Sequence, residues 1–168
     1  MKTSVKAWLV LAGTVVYGWP AAGAVLLDSI ALIETGPTRA SQCRADFKRG
    51  SAGEVSRYQI KPAVWRQYSA ERRYTDPATA QRIACRVLNG RIRDFTTQYG
   101  KPPNPFEIYV LWNAPAYLTG EQKGRRCSPM VARRAERFAN LVAAQSQSHR
   151  PSMASARFTD ALAVVQPD

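Results

Sequence analysis

The sequence predicts a mainly helical domain, and two observations carry that prediction. Helix starts recur as a capping residue followed by proline, a pair that leaves no unsatisfied amide at the first helical position; they occur at Asp76-Pro77, Asn104-Pro105 and Ser128-Pro129. The segments that follow carry apolar residues at helical spacing, whereas no long stretch alternates between polar and apolar residues. We therefore expect a mainly α fold with at most a short ribbon at residues 55–60.

The first 24 of the 168 residues have the pattern of a signal peptide. Lys2 and Lys6 precede an apolar run that ends at Trp19, and the small residues Ala22-Gly23-Ala24 follow. The run is shorter than the roughly 20 apolar residues of a membrane-spanning helix, which favours cleavage over anchoring. We expect a signal peptide at 1–24 and a periplasmic or secreted protein without stable membrane insertion.

The mature protein is predicted to be strongly basic. The whole chain has a formal net charge of +12, and the mature chain has +10, because the signal segment holds two lysines and no acid. This excess predicts attraction to a polyanion, and for an exported protein the cell wall or a membrane surface is more accessible than nucleic acid. The chain also has no recognised nucleic-acid-binding motif, so we expect no nucleic-acid partner.

The cysteines predict one disulfide and no metal site. Cys43, Cys85 and Cys127 would be exported to a compartment where disulfides form, and which two of them pair is left open by the sequence. With a single histidine, His149, the chain lacks the ligands of a Cys/His metal site and the partners of a thiol protease. We expect no metal and no cofactor.

The first helix of the domain places an acid on an apolar face. Leu27, Ile30, Ala31 and Glu34 share one side at helical spacing, and Gly36-Pro37 ends the helix. A carboxyl group at the end of an apolar face is partly desolvated, which favours its neutral form and raises its pKa. Glu34 is therefore the candidate general acid.

The later helices follow in order. A short helix begins at Lys61-Pro62 and packs through Trp65, and the long buried helix runs from Asp76-Pro77 to about Thr97. At Asn104-Pro105 the third helical residue, Glu107, completes a capping box.

The last predicted helix follows Ser128-Pro129 and carries Arg133, Arg134 and Arg137 on its solvent face. From residue 146 the apolar stripe is lost. We expect one domain over residues 25–145 and a flexible tail at 146–168.

Four blocks in order resemble the soluble lytic transglycosylases of the lysozyme-like superfamily, which cleave bacterial peptidoglycan. They are Ile33–Gly36 with the acid, the glycine-containing loop Gly53–Gln59, the helix start Asp76-Pro77, and Tyr109–Pro115 beside the substrate groove. Two departures in the loop are Glu54, where the family has alanine, and Ser56, where it has glycine. The resemblance implies a lysozyme-like fold over roughly residues 27–118, closed by the helix after Ser128.

The resemblance also implies a set of site residues. Glu34 would be the proton donor, and Gln59 and Asn113 would face the groove, where Gln59 bonds substrate or holds the loop. Aromatic residues that stack on sugar rings are expected as well; the candidates are Tyr58, Tyr109, Tyr117 and Trp112. We expect Tyr58 and Tyr117 to line the groove, and Trp65 and Trp112 to pack in the core.

The outcome of the reaction depends on a second carboxylate. A lytic transglycosylase can use Glu34 alone, as acid and then as base, with the sugar's own hydroxyl as nucleophile, whereas a hydrolase needs a partner. Glu54 is the candidate partner, with a salt bridge to Arg57 or to another of the many arginines as its structural alternative, and Asp46 is a weaker candidate.

We therefore predict a lytic transglycosylase that acts on the glycan strands of peptidoglycan between N-acetylmuramic acid and N-acetylglucosamine. The alternatives are a muramidase that uses Glu34 and Glu54, and a catalytically inactive wall-binding protein. Such enzymes serve in wall turnover, in attack on other cells and in the passage of secretion machinery through the wall. A cell-envelope secretion apparatus is accordingly a second candidate partner.

Overall fold

The protein is mainly helical, as predicted. The computed structural model describes residues 19–36 and 46–148. The α-helices bounded within these ranges are α1 (Trp19–Thr35), α2 (Pro62–Tyr68), α3 (Pro77–Tyr99), α4 (Pro105–Asn113) and α5 (Pro129–Ser148), and a 3-10 turn lies at Pro115–Tyr117. In this described part the one strand-like pairing is an antiparallel bridge between Val55 and Ile60, which is the short ribbon expected at that place.

The predicted helix starts are confirmed by their hydrogen bonds. The Asp76 carboxylate accepts the Thr79 amide at 2.8 Å at the start of α3. At α4 the capping box is complete, because the Asn104 side chain accepts the Glu107 amide at 2.9 Å and the Glu107 carboxylate accepts the Asn104 amide at 2.7 Å. Each proline at the first helical position removes one amide that would otherwise need a partner.

Asn104→Ala is expected to lower the free energy of unfolding by about 1 kcal/mol, the usual cost of a lost N-cap. Chemical denaturation measures the change. Asn140→Ala is the matched control, because Asn140 is exposed in the interior of α5, where alanine has the higher helix propensity and should not destabilise. Equal stability losses in both variants would contradict the assigned role of the capping box.

The C-terminal end of α1 lies where the sequence predicted it, whereas its N-terminal part extends into the predicted signal peptide. Its C-terminus lies where predicted, since Gly36 has a φ of 85° and its amide bonds the Leu32 carbonyl at 3.0 Å. Within the described residues α1 already begins at Trp19, so the helix spans the predicted boundary between residues 24 and 25. Residues 1–18 lie outside the described ranges, and cleavage remains a prediction. No helix in the described part is long and apolar enough to cross a membrane.

The core lies where α5 packs against α4 and α1, and where α3 packs against α2, α4 and α1. Trp65 on α2 is fully buried, as expected, and its indole N–H donates to the Glu71 carbonyl at 2.7 Å. Its ring also meets Tyr74 edge-on with the centroids 5.1 Å apart. The largest fully buried side chains are Trp65, Tyr109, Phe95, Phe138, Ile30, Ile83, Leu88 and Leu111.

Two further predictions concern segments that lie partly outside the described ranges. The last helix α5 extends to Ser148, three residues past the predicted domain boundary at 145, and residues 149–168 of the predicted tail are not described. Cys43 also lies outside the described ranges, so a bridge that involves it remains a prediction. Cys127 carries a free thiol and is not bonded to Cys85.

Candidate active site

Glu34 lies near the end of α1 with its side chain only 6% exposed. Leu27, Ile30 and Ala31, which precede it on the same helical face, are buried in the core. The carboxyl group therefore continues an apolar face, as the residue spacing predicted. It also lines a cleft of about 680 Å³, so a group bound in that cleft can reach it.

The two oxygens of the Glu34 carboxyl group have different surroundings. Oε1 accepts hydrogen bonds from the Tyr109 hydroxyl at 2.9 Å and from the Asn113 side-chain amide at 3.4 Å, and both donors belong to α4. Oε2 lies 3.6 Å from a guanidinium nitrogen of Arg134 on α5. Two helices that are distant in sequence from α1 thus fix this carboxyl group.

Burial raises the pKa of Glu34 above its ordinary value of 4.5. The hydrogen bond from Tyr109, the positive charge of Arg134 and the bond from Asn113 each act in the opposite direction, and the negative charge of Glu54 adds to the increase. Desolvation is the largest of these effects, so the neutral acid is favoured. A proton held by this carboxyl group is available for transfer at a higher pH than in an exposed glutamate.

Tyr109 donates a hydrogen bond to Glu34, and its ring does not line the cleft. Its side chain is buried against Phe138, with ring centroids 5.6 Å apart, and is not among the residues that line the cleft. Burial, and then the neighbouring Glu34, raise the pKa of the Tyr109 hydroxyl, which keeps it a hydrogen-bond donor. The expected stacking role for Tyr109 is therefore corrected to support of Glu34.

The loop before α2 forms another part of the cleft wall. A Cβ at Gly50 would lie 2.2 Å from Glu54 Oε2 and 2.6 Å from Gln59 Oε1, so a larger residue at position 50 would displace the ends of these two side chains. Gln59 itself has a φ of 50°, and its side-chain amide donates to the Ser56 and Lys48 carbonyls at 2.9 and 3.1 Å. Gln59 lines the cleft as expected, and its amide holds the loop.

Glu54 also lines the cleft, but it is not paired with Arg57. Its carboxylate accepts the Ala52 amide at 3.0 Å, and the alternative of a salt bridge to Arg57 is wrong because Arg57 binds Asp46. Asp46 is fully buried and accepts the Arg57 side chain through both oxygens. Asp46 is therefore a structural partner and not a carboxylate of the cleft.

The other two tyrosines expected in the groove lie elsewhere. Tyr58 is 3% exposed in the core, where burial raises its pKa to about 12. Tyr117 is half-buried against the core in the 3-10 turn and is not among the cleft-lining residues. Proximity in sequence to Gln59 and Asn113 misled both expectations, because neighbours along a chain point in different directions. Trp112 packs in the core as predicted and also lines the cleft.

Two arginines of the cleft were not predicted. Arg91 on α3 donates to the carbonyls of Leu111 and Trp112, the former at 2.8 Å, and so satisfies the C-terminal end of α4 beside Asn113. Arg134 was expected on the solvent face of α5, yet it faces Glu34. The sequence contained a signal that could have identified both arginines as cleft residues.

That signal is the position of each arginine within an apolar stripe. Arg91 lies three residues after Leu88 and four before Phe95, and Arg134 lies three after Val131 and four before Phe138. A charge at such a position faces the interior and needs a partner there.

Fold and site together define a mainly helical protein with a buried carboxyl group in the wall of a cleft. The residues that line the cleft are Glu34, Gly50, Ser51, Glu54, Gln59, Ile60, Lys61, Val64, Val87, Arg91, Trp112, Asn113, Pro115, Met130 and Arg134. Within residues 19–36 and 46–148, no three metal-ligating side chains converge. Comparison of the chain with protein-family models, with curated proteins and with solved structures gave no match.

Proposed function

We propose that the protein is a peptidoglycan lytic transglycosylase with a lysozyme-like fold, which acts outside the cytoplasm and uses Glu34 as general acid and then base. The observation that carries this proposal is the Glu34 carboxyl group itself. It is nearly buried, it lines a cleft, and burial raises its pKa. Those are the properties of a proton donor to a glycosidic oxygen.

In the first step Glu34 gives its proton to the oxygen of the glycosidic bond. The bond to the anomeric carbon breaks, its electron pair goes to the protonated leaving oxygen, and an oxocarbenium-like centre develops on the sugar. Glu34 is then a carboxylate, with the Tyr109 hydroxyl and the Asn113 amide bonded to Oε1. In the second step this carboxylate takes the proton of a hydroxyl on the same sugar as that oxygen bonds the anomeric carbon, which leaves an anhydro sugar.

The loop geometry supports the resemblance on which this reading draws. Gly53 has a φ of 79° and Ser56 a φ of 63°, and these are the two loop positions where the family has glycine. A left-handed backbone is the conformation that glycine adopts without strain. Ser56 adopts it here with its hydroxyl within 3.3 Å of the Tyr58 amide, so the substitution keeps the backbone shape of a glycine.

A hydrolase is the second candidate, because Glu54 lines the same cleft as Glu34. In that reading Glu54 activates a water molecule or acts as the nucleophile. The two candidates differ in their products, since transglycosylation leaves an anhydro-sugar end and hydrolysis leaves a reducing end. Mass spectrometry of purified peptidoglycan after digestion by the full chain distinguishes them, and predominantly reducing ends would contradict the transglycosylase proposal.

Glu54→Gln is expected to change the rate of lysis less than about threefold. The glutamine still presents an oxygen to the Ala52 amide, and the acid and base steps both belong to Glu34. A hydrolase would instead lose the roughly 10²- to 10⁴-fold contribution of a general base. Release of soluble muropeptides measures the rate, and a loss of a hundredfold or more would favour hydrolysis.

A further inference from the structure

The hydrogen bonds of Glu34 indicate which of its oxygens carries the proton that is transferred. Oε1 already accepts two donors, the Tyr109 hydroxyl at 2.9 Å and the Asn113 amide at 3.4 Å. A hydrogen on Oε1 would point towards groups that themselves donate. Oε2 accepts neither of these bonds, and the nearest guanidinium nitrogen, on Arg134, lies 3.6 Å away and beyond hydrogen-bond distance, so the proton of the neutral acid belongs on Oε2.

Arg134 stands beside that same oxygen. Its guanidinium nitrogen lies 3.6 Å from Oε2, which is an ion-pair distance but too long for a strong hydrogen bond. The side chain of Arg134 is 40% exposed and lines the cleft, so it borders the space in which a substrate oxygen would approach Oε2. The backbone of α5 fixes it there, because Val131 and Phe138 on the same face are buried.

We propose that Arg134 is a positioning residue that holds Oε2 of Glu34, the oxygen that carries the transferable proton, and balances its charge after the proton has left. This inference rests on the function proposed above. When Oε2 gives its proton to the glycosidic oxygen, the carboxylate that remains faces a fixed positive charge. The proton returns to Oε2 when the sugar hydroxyl attacks, so Arg134 helps one glutamate to serve both steps.

The other charged and titratable groups around Glu34 come from three further segments. Tyr109 approaches from α4, Glu54 belongs to the loop before α2, and Lys48 lies with its ammonium group 3.4 Å from the Thr35 carbonyl. Lys61 and Arg91 line the same cleft. In the described part of the chain, Arg134 is the cation within 4 Å of the Glu34 carboxylate. It also interacts with the Tyr109 hydroxyl and lowers the pKa of that group, so its removal affects Glu34 both directly and through Tyr109.

The test is Arg134→Gln, followed by two readouts. Carbon-detected NMR of the Glu34 carboxyl group in the free protein is expected to show titration about one pH unit higher than in the wild type, the low end of the effect of an opposite charge nearby. The alkaline limb of kcat against pH should move by the same amount. At the optimum, kcat should fall about tenfold, because the acid becomes weaker, while KM changes less than about twofold.

Two variants serve as controls. Arg134→Lys keeps a positive charge and should restore most of both pH shifts towards the wild type. Arg133→Gln removes the same charge from the adjacent, exposed position and should leave the Glu34 titration and kcat unchanged.

Unmoved titration and kcat profiles in Arg134→Gln, or equal shifts in Arg133→Gln, would overturn the role of Arg134 while the proposed function stands. A wild-type protein that lyses no peptidoglycan would overturn both.

Discussion

Glu34→Gln is expected to reduce the rate of peptidoglycan lysis at least about 10³-fold, within the range that a general acid contributes. Glutamine retains an oxygen that accepts the Tyr109 hydroxyl, yet it has no proton acidic enough to give to a leaving sugar. The fold and the attraction to the wall should persist, because the substitution removes one negative charge from a basic protein. Turbidity loss of purified peptidoglycan measures lysis, and co-sedimentation with it measures wall binding.

Glu136→Gln is the matched control, because it removes the same charge from an exposed position on α5. It should lyse peptidoglycan at the wild-type rate. An unchanged rate in Glu34→Gln would remove Glu34 from its proposed role. Binding to the wall by a wild-type protein that does not lyse it would favour the inactive wall-binding alternative instead.

The same substitution should stabilise the fold at neutral pH by roughly 0.5–2 kcal/mol, as when a strained site is relieved. The folded pKa of Glu34 is raised, so between the unfolded and the folded pKa the folded state binds more protons. The contribution of Glu34 to stability is therefore present below the unfolded pKa and is lost as the pH rises through the folded one. Thermal unfolding against pH should show this decline in the wild type and not in Glu34→Gln.

Local sequence signals were sufficient to predict the helices and the burial of Glu34. The caps at Asp76 and Asn104 act through residues three positions away, and the burial of Glu34 follows from its place after Ile30 and Ala31 on one helical face. Such signals depend on backbone geometry over one turn, which the sequence itself determines.

The partners of the acid could not be predicted in the same way. Tyr109 and Arg134 reach Glu34 across 75 and 100 positions of the chain, and their orientation depends on how α4 and α5 pack against α1. Arg57 illustrates the same limit, because Glu54 is nearer in sequence, yet the more distant Asp46 lies at the end of its side chain. Which carboxylate pairs with an arginine depends on burial and on the shape of the loop, and both are properties of the folded structure.

Asp46→Ala is expected to lower the free energy of unfolding by about 3–5 kcal/mol, the cost of removing one partner of a buried ion pair. The Asp46 side chain is 0% exposed and that of Arg57 is 16% exposed. Asp46 accepts the Arg57 side chain at 2.9 Å and its backbone amide at 3.3 Å. Without Asp46 the guanidinium lacks that carboxylate in a place where water replaces it poorly.

Asp46→Ala should also lower catalytic efficiency, because the Asp46–Arg57 pair fixes the loop that carries Glu54 and Gln59. We expect kcat/KM to fall about tenfold as this wall loses its position. Glu71→Ala is the matched control: Glu71 pairs with Arg82 at 3.1 Å, but both side chains are more than 40% exposed, and such pairs contribute at most about 1 kcal/mol.

Replacing both buried partners, as in Asp46→Leu with Arg57→Met, should recover at least half of the stability lost in Asp46→Ala, because no charge is then left in the interior. Urea denaturation of the four proteins provides the comparison. A cost in Asp46→Ala no larger than that in Glu71→Ala would show that the pair is not stabilising the loop. Recovered stability without recovered kcat/KM would show that the loop needs the geometry of the ion pair as well as its burial.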